Sequence, residues 1–150
     1  MRVTGDWGKD QALAFMADSI IPLRLAALDG AGFPVNISLW FLPEDGALWC
    51  ATNRRAKLVT YLGQNPRVSI EVAADAPPYR GVRGQGMASL HPDQGWTMLD
   101  RLLTRYRISR SSQLARMLTA KADQEVAIRI APTRLSSWDF STRMVDAVAA

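Results

Sequence analysis

Apolar and polar residues alternate with a period of two along much of this chain, and four stretches interrupt them with apolar residues at three- and four-residue spacing. The first pattern predicts half-buried strands and the second predicts amphipathic helices. Residues 11–21 put Leu13, Met16, Ala17 and Ile20 on one helical face, and Pro22 ends that element. Residues 23–28 read as a strand. Asp29-Gly30-Ala31-Gly32 then supplies hairpin turn chemistry leading into a second strand over 33–42. There Val35, Ile37, Leu39 and Phe41 share one face, while Asn36, Ser38 and Trp40 take the other. Pro43-Glu44-Asp45-Gly46 is a further turn, into a strand over 47–52. A helix over 57–64 points Leu58, Tyr61 and Leu62 inward and stops at Asn65-Pro66. Residues 67–74 alternate cleanly through Val68, Ile70 and Val72, and Pro77-Pro78 breaks the pattern. An extended segment over 79–90 contains Gly81, Gly84 and Gly86, which inside a strand mark bulges or a close approach of backbone to ligand. Trp96, Leu99, Leu102 and Leu103 predict a helix over 94–106, and Ser111 or Ser112 caps another that reaches Ala120. The last clear strand covers 125–131, and 132–140 extends from it.

The count is six strands with helices inserted between them, a mainly β, α+β pattern. Short connections imply antiparallel pairing, and an antiparallel set of this size closes into a small barrel. The βα alternation of a doubly wound parallel sheet is missing from the first half. At 150 residues the expectation is one domain over 1–150, and 48% hydrophobic content suffices for its core. No run approaches the ~18 apolar residues of a membrane span. Residues 1–10 carry Asp6 and no apolar signal core, so the expected location is the cytoplasm. The lone cysteine, Cys50, lies in an apolar strand pattern and reads as a packed thiol rather than a nucleophile.

Charge narrows the chemistry. A formal net charge of +4 favours anionic partners, and the placement of the cations matters more than the sum. Arg101, Arg105, Arg107, Arg110 and Arg116 run without an intervening acid. Only Tyr106 interleaves with them as a stacking aromatic, so the series reads as a solvated face rather than a nucleic-acid surface. One histidine and one cysteine do not make a zinc set, and no G-x-S-x-G elbow accompanies His91. Gly81-Val82-Arg83-Gly84-Gln85-Gly86 has the order G-x-x-G-x-G with no helix after it, so it is not a dinucleotide fingerprint. Of the five tryptophans, Trp40 stands on the polar-alternating face of its strand, placed to meet a ligand or a partner subunit.

The richest segment is Ala51-Thr52-Asn53-Arg54-Arg55-Ala56-Lys57, at the passage from a strand into a helix. Helix N-termini carry unpaired N–H groups and positive dipole ends, which favour an anion. Thr52 with the following Arg and Lys side chains would hold a phosphate. The same residues also fit an ordinary helix cap followed by solvated charges.

Gly32-Phe33-Pro34-Val35-Asn36-Ile37-Ser38-Leu39-Trp40-Phe41 resembles the second-strand motif of the pyridoxamine-phosphate-oxidase-like, flavin-binding split barrels. The resemblance continues in family order through Ala51 to Lys57, Asn65-Pro66-Arg67-Val68 and Tyr79 to Gly86. It ends with Ile128 to Arg134 and Trp138-Asp139-Phe140. It implies an antiparallel six-stranded split β-barrel with a flavin mononucleotide (FMN) site. Val35, Asn36, Ile37 and Ser38 would run along the isoalloxazine, and Ala51 and Thr52 would lie under the ribityl chain and phosphate. Arg55, or Arg54 beside it, and Lys57 would hold the phosphate. Arg80 and Arg83 would approach from a neighbouring strand, and Trp138 would lie near the ring. It also implies a homodimer with the site between subunits, and hydride transfer with a small organic substrate. After Trp138 the chain reads Asp139-Phe140-Ser141-Thr142-Arg143-Met144, without the Arg-Leu-His-type substrate motif of the vitamin-salvage oxidases. The resemblance is therefore to the general reductase branch, which includes users of a deazaflavin coenzyme. A non-catalytic flavin- or haem-binding protein is the alternative of another class. Tyr79 and His91 are candidate proton donors with no motif behind either.

Overall fold

In the computed structural model, which describes residues 1–147, eight strands and four helices follow in the order β1 (Arg2–Gly5), α1 (Lys9–Asp18), β2 (Leu23–Leu28), β3 (Pro34–Leu39), β4 (Leu42–Glu44), β5 (Ala47–Asn53), α2 (Lys57–Gln64), β6 (Arg67–Ala73), β7 (Arg80–His91), α3 (Gly95–Arg105), α4 (Gln113–Thr119) and β8 (Glu125–Asp139). One sheet holds them all, ordered β3-β2-β6-β7-β8-β5-β4, with β1 beside β8. The fifteen-residue β8 organises this sheet. One of its edges pairs with β7 throughout; the other takes β5 over its first half and β1 over its second. Every pairing is antiparallel except that of β1 with β8.

The expected closed six-stranded barrel is corrected in two ways. The sheet has eight strands, and it does not close: among the described residues β3 and β5 do not pair. The cause is a break at Trp40-Phe41 in the strand expected over 33–42. The Phe41 side chain is fully buried and its backbone N–H donates to Tyr106 Oη at 3.2 Å, which turns the chain out of line. The two pieces then pair differently, β3 with β2 and β4 with β5. Asp45 and Gly46, with φ of 49° and 75°, close the β4–β5 hairpin in the paired left-handed conformation that Asp-Gly favours. The other added strand, β1, is four residues long with only Val3 partly covered, so it carries no alternation to read.

Most other elements follow the pattern. Ser112 caps α4, its hydroxyl accepting from the Ala115 N–H at 3.1 Å. Helix α1 ends early, with Ser19 as its C-cap, so Ile20 falls outside it and is 64% exposed; Ala12 and Met16 are its buried contacts. The glycines of β7 serve neighbouring strands: a Cβ on Gly84 would stand 2.2 Å from the Arg134 carbonyl oxygen. A bulge does occur there, where Thr133 of β8 is left over between the partners of Gln85 and Gly86.

Two apolar layers result. The inner one joins Leu25, Ile70, Val82, Cys50, Ile128 and Leu135 of the curved sheet to Ala12 and Met16 of α1 and Leu58 and Leu62 of α2. Each large side chain buried there contributes roughly 1.5–3 kcal/mol. The second packs Met98 and Leu102 of α3 on Ala127, flanked by Trp40, Trp49 and Tyr106. Burial pushes the Cys50 thiol up to about 12, so it is a packed, unreactive group as expected. No helix among the described residues is long and apolar enough to cross a membrane.

Candidate functional site

The break at Trp40-Phe41 leaves two strand edges facing one opening. Among the described residues the edge of β3 turned away from β2 has no partner, and β4 covers β5 only from Ala47 to Trp49, leaving Cys50–Asn53 free on that side. Unpaired backbone N–H and C=O groups are costly where water is excluded, so an open seam of this kind suits a ligand with its own polar edge. A cleft of about 410 Å³ occupies the inner side of the seam, lined by Val35 and Ile37 of β3, Thr52 of β5, and Ala56, Lys57, Leu58 and Tyr61 at the start of α2.

The polar end of this cleft is decided by which groups already have partners. Asn53 Oδ1 accepts from the Arg55 N–H at 3.0 Å and forms a local turn. Arg54 is strapped down, its Nη2 donating to the Asp123 carbonyl at 2.6 Å and its backbone N–H to that of Gln124 at 2.7 Å. Arg55 and Lys57 remain exposed, and neither takes part in an ion pair among the described residues. The N-cap of α2 is Ala56, which has no capping side chain, so neither Thr52 nor Asn53 plays the ordinary capping role. What stands at the mouth is the Thr52 hydroxyl, the unspent Lys57 and an uncapped helix start, a donor set that fits a phosphate; Arg55, next to Ala56 in the chain, is exposed but lines none of the described clefts.

The remaining expected residues divide among other surfaces. Alternation along β3 turns Asn36 and Ser38 to the opposite side, where a polar groove of about 820 Å³ runs across the sheet. Ser38, Arg24, Glu71, Arg83 and Ser136 form one row across it, each opposite the next on adjoining strands. The Arg83 guanidinium lies 4.9 Å from the Trp138 ring centroid, a cation–π contact that holds both side chains. Arg80 sits at the start of β7 opposite Asp139 and lines neither cleft. Neither candidate proton donor reaches the seam: Tyr79 is 46% exposed, and His91 bonds Ser89 Oγ at 2.9 Å at the far end of β7.

A third cleft, of about 340 Å³, adjoins the seam on the α3 side and takes in Ser38, Trp40, Ala51, Thr52, Leu102 and Glu125. Glu125 opens β8 with its side chain 6% exposed, and burial raises its carboxyl above the ordinary range. Sequence reasoning passed over this residue. Its signal was an acid at the head of the apolar run Val126-Ala127-Ile128. Tyr61 was missed as a site residue because helical spacing assigned it to the core.

The arginine series does not face solvent as a whole. Arg101 pairs with Glu44 through two hydrogen bonds, and that contact holds the Glu44 carboxyl below its usual range. Arg105 donates to the carbonyls of Met16, Ala17 and Ser19, covering the C-terminus of α1, and its guanidinium lies over Phe41. Arg110 binds Asp100 and Thr104. Arg107 and Arg116 are exposed.

Neither a protein-family model nor a curated protein matches the chain. Solved structures do. A conserved hypothetical protein from Mycobacterium tuberculosis is 23% identical, with a TM-score of 0.76 over 97% of this chain and 91% of its own. A structure described as F420 reductase is 21% identical, with a TM-score of 0.72 over 87% and 98%. A protein from Listeria innocua, described as a pyridoxamine 5'-phosphate oxidase, gives 18% and 0.65 over 85% and 95%. The chain shares its fold with these structures and with one described as an FAD-binding protein from Mesorhizobium loti, 19% identical, with a TM-score of 0.63 over 87% and 93%. The seam between β3 and β5 is where this sheet stops pairing, and the cation-bearing start of α2 sits at its end.

Proposed function

We propose that the chain binds a phosphorylated flavin-type cofactor, FMN or a deazaflavin coenzyme, along the seam, and uses it as an oxidoreductase acting on a small organic molecule. The observation that carries this reading is the pair of unspent cations, Arg55 and Lys57, beside Thr52 and the uncapped start of α2. When bound, such a cofactor would supply hydride chemistry. The chain's own residues would do the rest. Thr52, Arg55 and Lys57 would hold the phosphate, and the free edge of β3 over Val35–Ser38 would offer backbone groups to a polar ring edge. Val35, Ile37 and Tyr61 would exclude water from one side of the cleft.

The polar groove that carries Asn36, Ser38 and Arg83, the last held against Trp138, is open to solvent in a single copy. A second copy of the chain packed across it would enclose the β3 edge from that side, so the working form in this proposal is a homodimer with the cofactor between subunits, in the cytoplasm. The deciding experiment is the absorption spectrum of the purified protein, followed by titration with FMN and with a deazaflavin coenzyme. Flavin bands, or saturable binding of either compound, support the proposal and choose between the two. Binding of neither overturns it. Bound cofactor that is never reduced or reoxidised in turnover would place the protein with non-catalytic carriers.

A further inference from the structure

Glu125 is a group for which neither the packing nor the proposed cofactor accounts. It is 6% exposed as a whole residue, and among the described residues no hydrogen-bond donor and no cation within ion-pair distance reaches its carboxyl, whose oxygens are open to the clefts beside it; the buried side-chain polar atom left without a partner is Arg105 Nε. It lies where two clefts meet. The inner one borders the seam and is walled by Trp40, Leu99, Leu102 and Leu118; the outer one, of about 430 Å³, opens between Leu114 and Met117 on α4. Asn53, Leu118 and Glu125 line both, so the two mostly apolar clefts adjoin at the acid. Leu114 and Met117 are 44% and 62% exposed at the mouth of the outer one.

We propose that the two clefts join into one passage, that this passage is the substrate pocket, and that it takes a small apolar amine, with its hydrocarbon body against Leu99, Leu102, Leu118 and Trp40 and its protonated nitrogen against Glu125. A carboxyl set in an apolar wall, with no protein donor and only the cleft to solvate it, is less stable as an anion than one in open water. A ligand ammonium restores both the missing charge and the missing hydrogen bonds, and such charge-assisted bonds are roughly twice as strong as neutral ones. A carbonyl or alcohol supplies only the second. Asn53 stands opposite Glu125 on β5, but its Nδ2 makes no hydrogen bond to the acid among the described residues, its oxygen accepting from the Arg55 N–H, and Lys121 at the outer mouth is exposed and makes no ion pair with the acid. That the amine is a substrate rests on the cofactor reading, because Thr52 lines both this pocket and the seam cleft; that an amine binds here does not.

The test is calorimetric titration of the cofactor-free protein with benzylamine and with its neutral isostere benzyl alcohol. Benzylamine is expected to bind about tenfold more tightly, and Glu125→Gln to erase the difference. Leu118→Trp, which fills the passage and leaves the acid in the chain, is expected to abolish binding of both, and it serves as the test if the glutamine variant does not fold. Equal affinities, a preference for the alcohol, or a preference for benzylamine that survives Glu125→Gln would overturn the proposal. FMN titration of the same proteins keeps the two readings apart. Amine selectivity without cofactor binding would leave this pocket standing and remove only the oxidoreductase assignment.

Discussion

Two groups of cations in this molecule look alike in sequence and differ in what they touch. Arg101, Arg105 and Arg110, in and just beyond α3, spend their donors on Glu44, on the last carbonyls of α1 and on Asp100. Arg55 and Lys57, at the start of α2, spend none on any acid among the described residues. Position explains the contrast. The first group lies over a crowded layer where acids and helix ends are within reach, and the second lies at the end of a seam where the sheet has stopped pairing. Charge satisfied inside the molecule stabilises the fold, whereas charge left unsatisfied beside a cleft is available to a ligand.

The contrast breaks if the groups respond alike to substitution. The largest effect expected is on binding: Arg55→Ala combined with Lys57→Ala should weaken FMN or deazaflavin affinity about 100-fold, from roughly 1.5 kcal/mol per charge-assisted contact. The melting temperature of the empty protein should stay where it is. A large loss of stability with intact affinity would reverse the assignment. Arg105→Ala should do the opposite, lowering stability by about 2 kcal/mol, near 4–8 °C in Tm, with cofactor affinity unchanged.

A smaller effect belongs to Glu125. Because its carboxyl is raised in the folded chain, the folded state holds the proton more readily than the unfolded state. Its contribution is therefore fully present below the ordinary carboxylate pKa, about 4, and is lost as pH rises through the raised native value. Glu125→Gln should thus raise Tm at neutral pH and leave it nearly unchanged near pH 4. A Tm profile parallel to that of the unaltered protein would show that the acid is not desolvated. The smallest effect is expected from Arg101→Ala. It should let the Glu44 carboxyl return toward its usual range, visible by NMR titration, with a stability change close to experimental error because both side chains are well exposed.

Most of the architecture was legible because most of it is local. The alternation through Val68, Ile70 and Val72, the Asp45-Gly46 hairpin and the Ser112 cap each depend on residues a few positions apart. The pairing of β1 with β8 joins residues more than 130 positions apart, so no local pattern announces it. The break at Phe41 was hidden for a similar reason: alternation continues through it, and only the distant Tyr106 hydroxyl shows why the backbone turns. The site was legible in outline. Val35, Ile37, Thr52 and Lys57 do meet at one cleft, while Arg54 is tied to the Asp123–Gln124 backbone and Arg80 lies elsewhere. Residue type alone cannot tell a tethered arginine from a free one.

The alanine that precedes α2 has a bearing on how this chain could be altered. A serine or aspartate at position 56 would satisfy a first-turn N–H of the helix and stabilise the empty protein by about 1 kcal/mol. The same oxygen would occupy the donors that a bound anion needs, and an aspartate would add repulsion. In a library selected for heat resistance alone, changes at Ala56 should therefore rise early, and in one selected for ligand retention they should be purged. The residue that leaves the helix unfinished makes the protein's stability depend on what it binds.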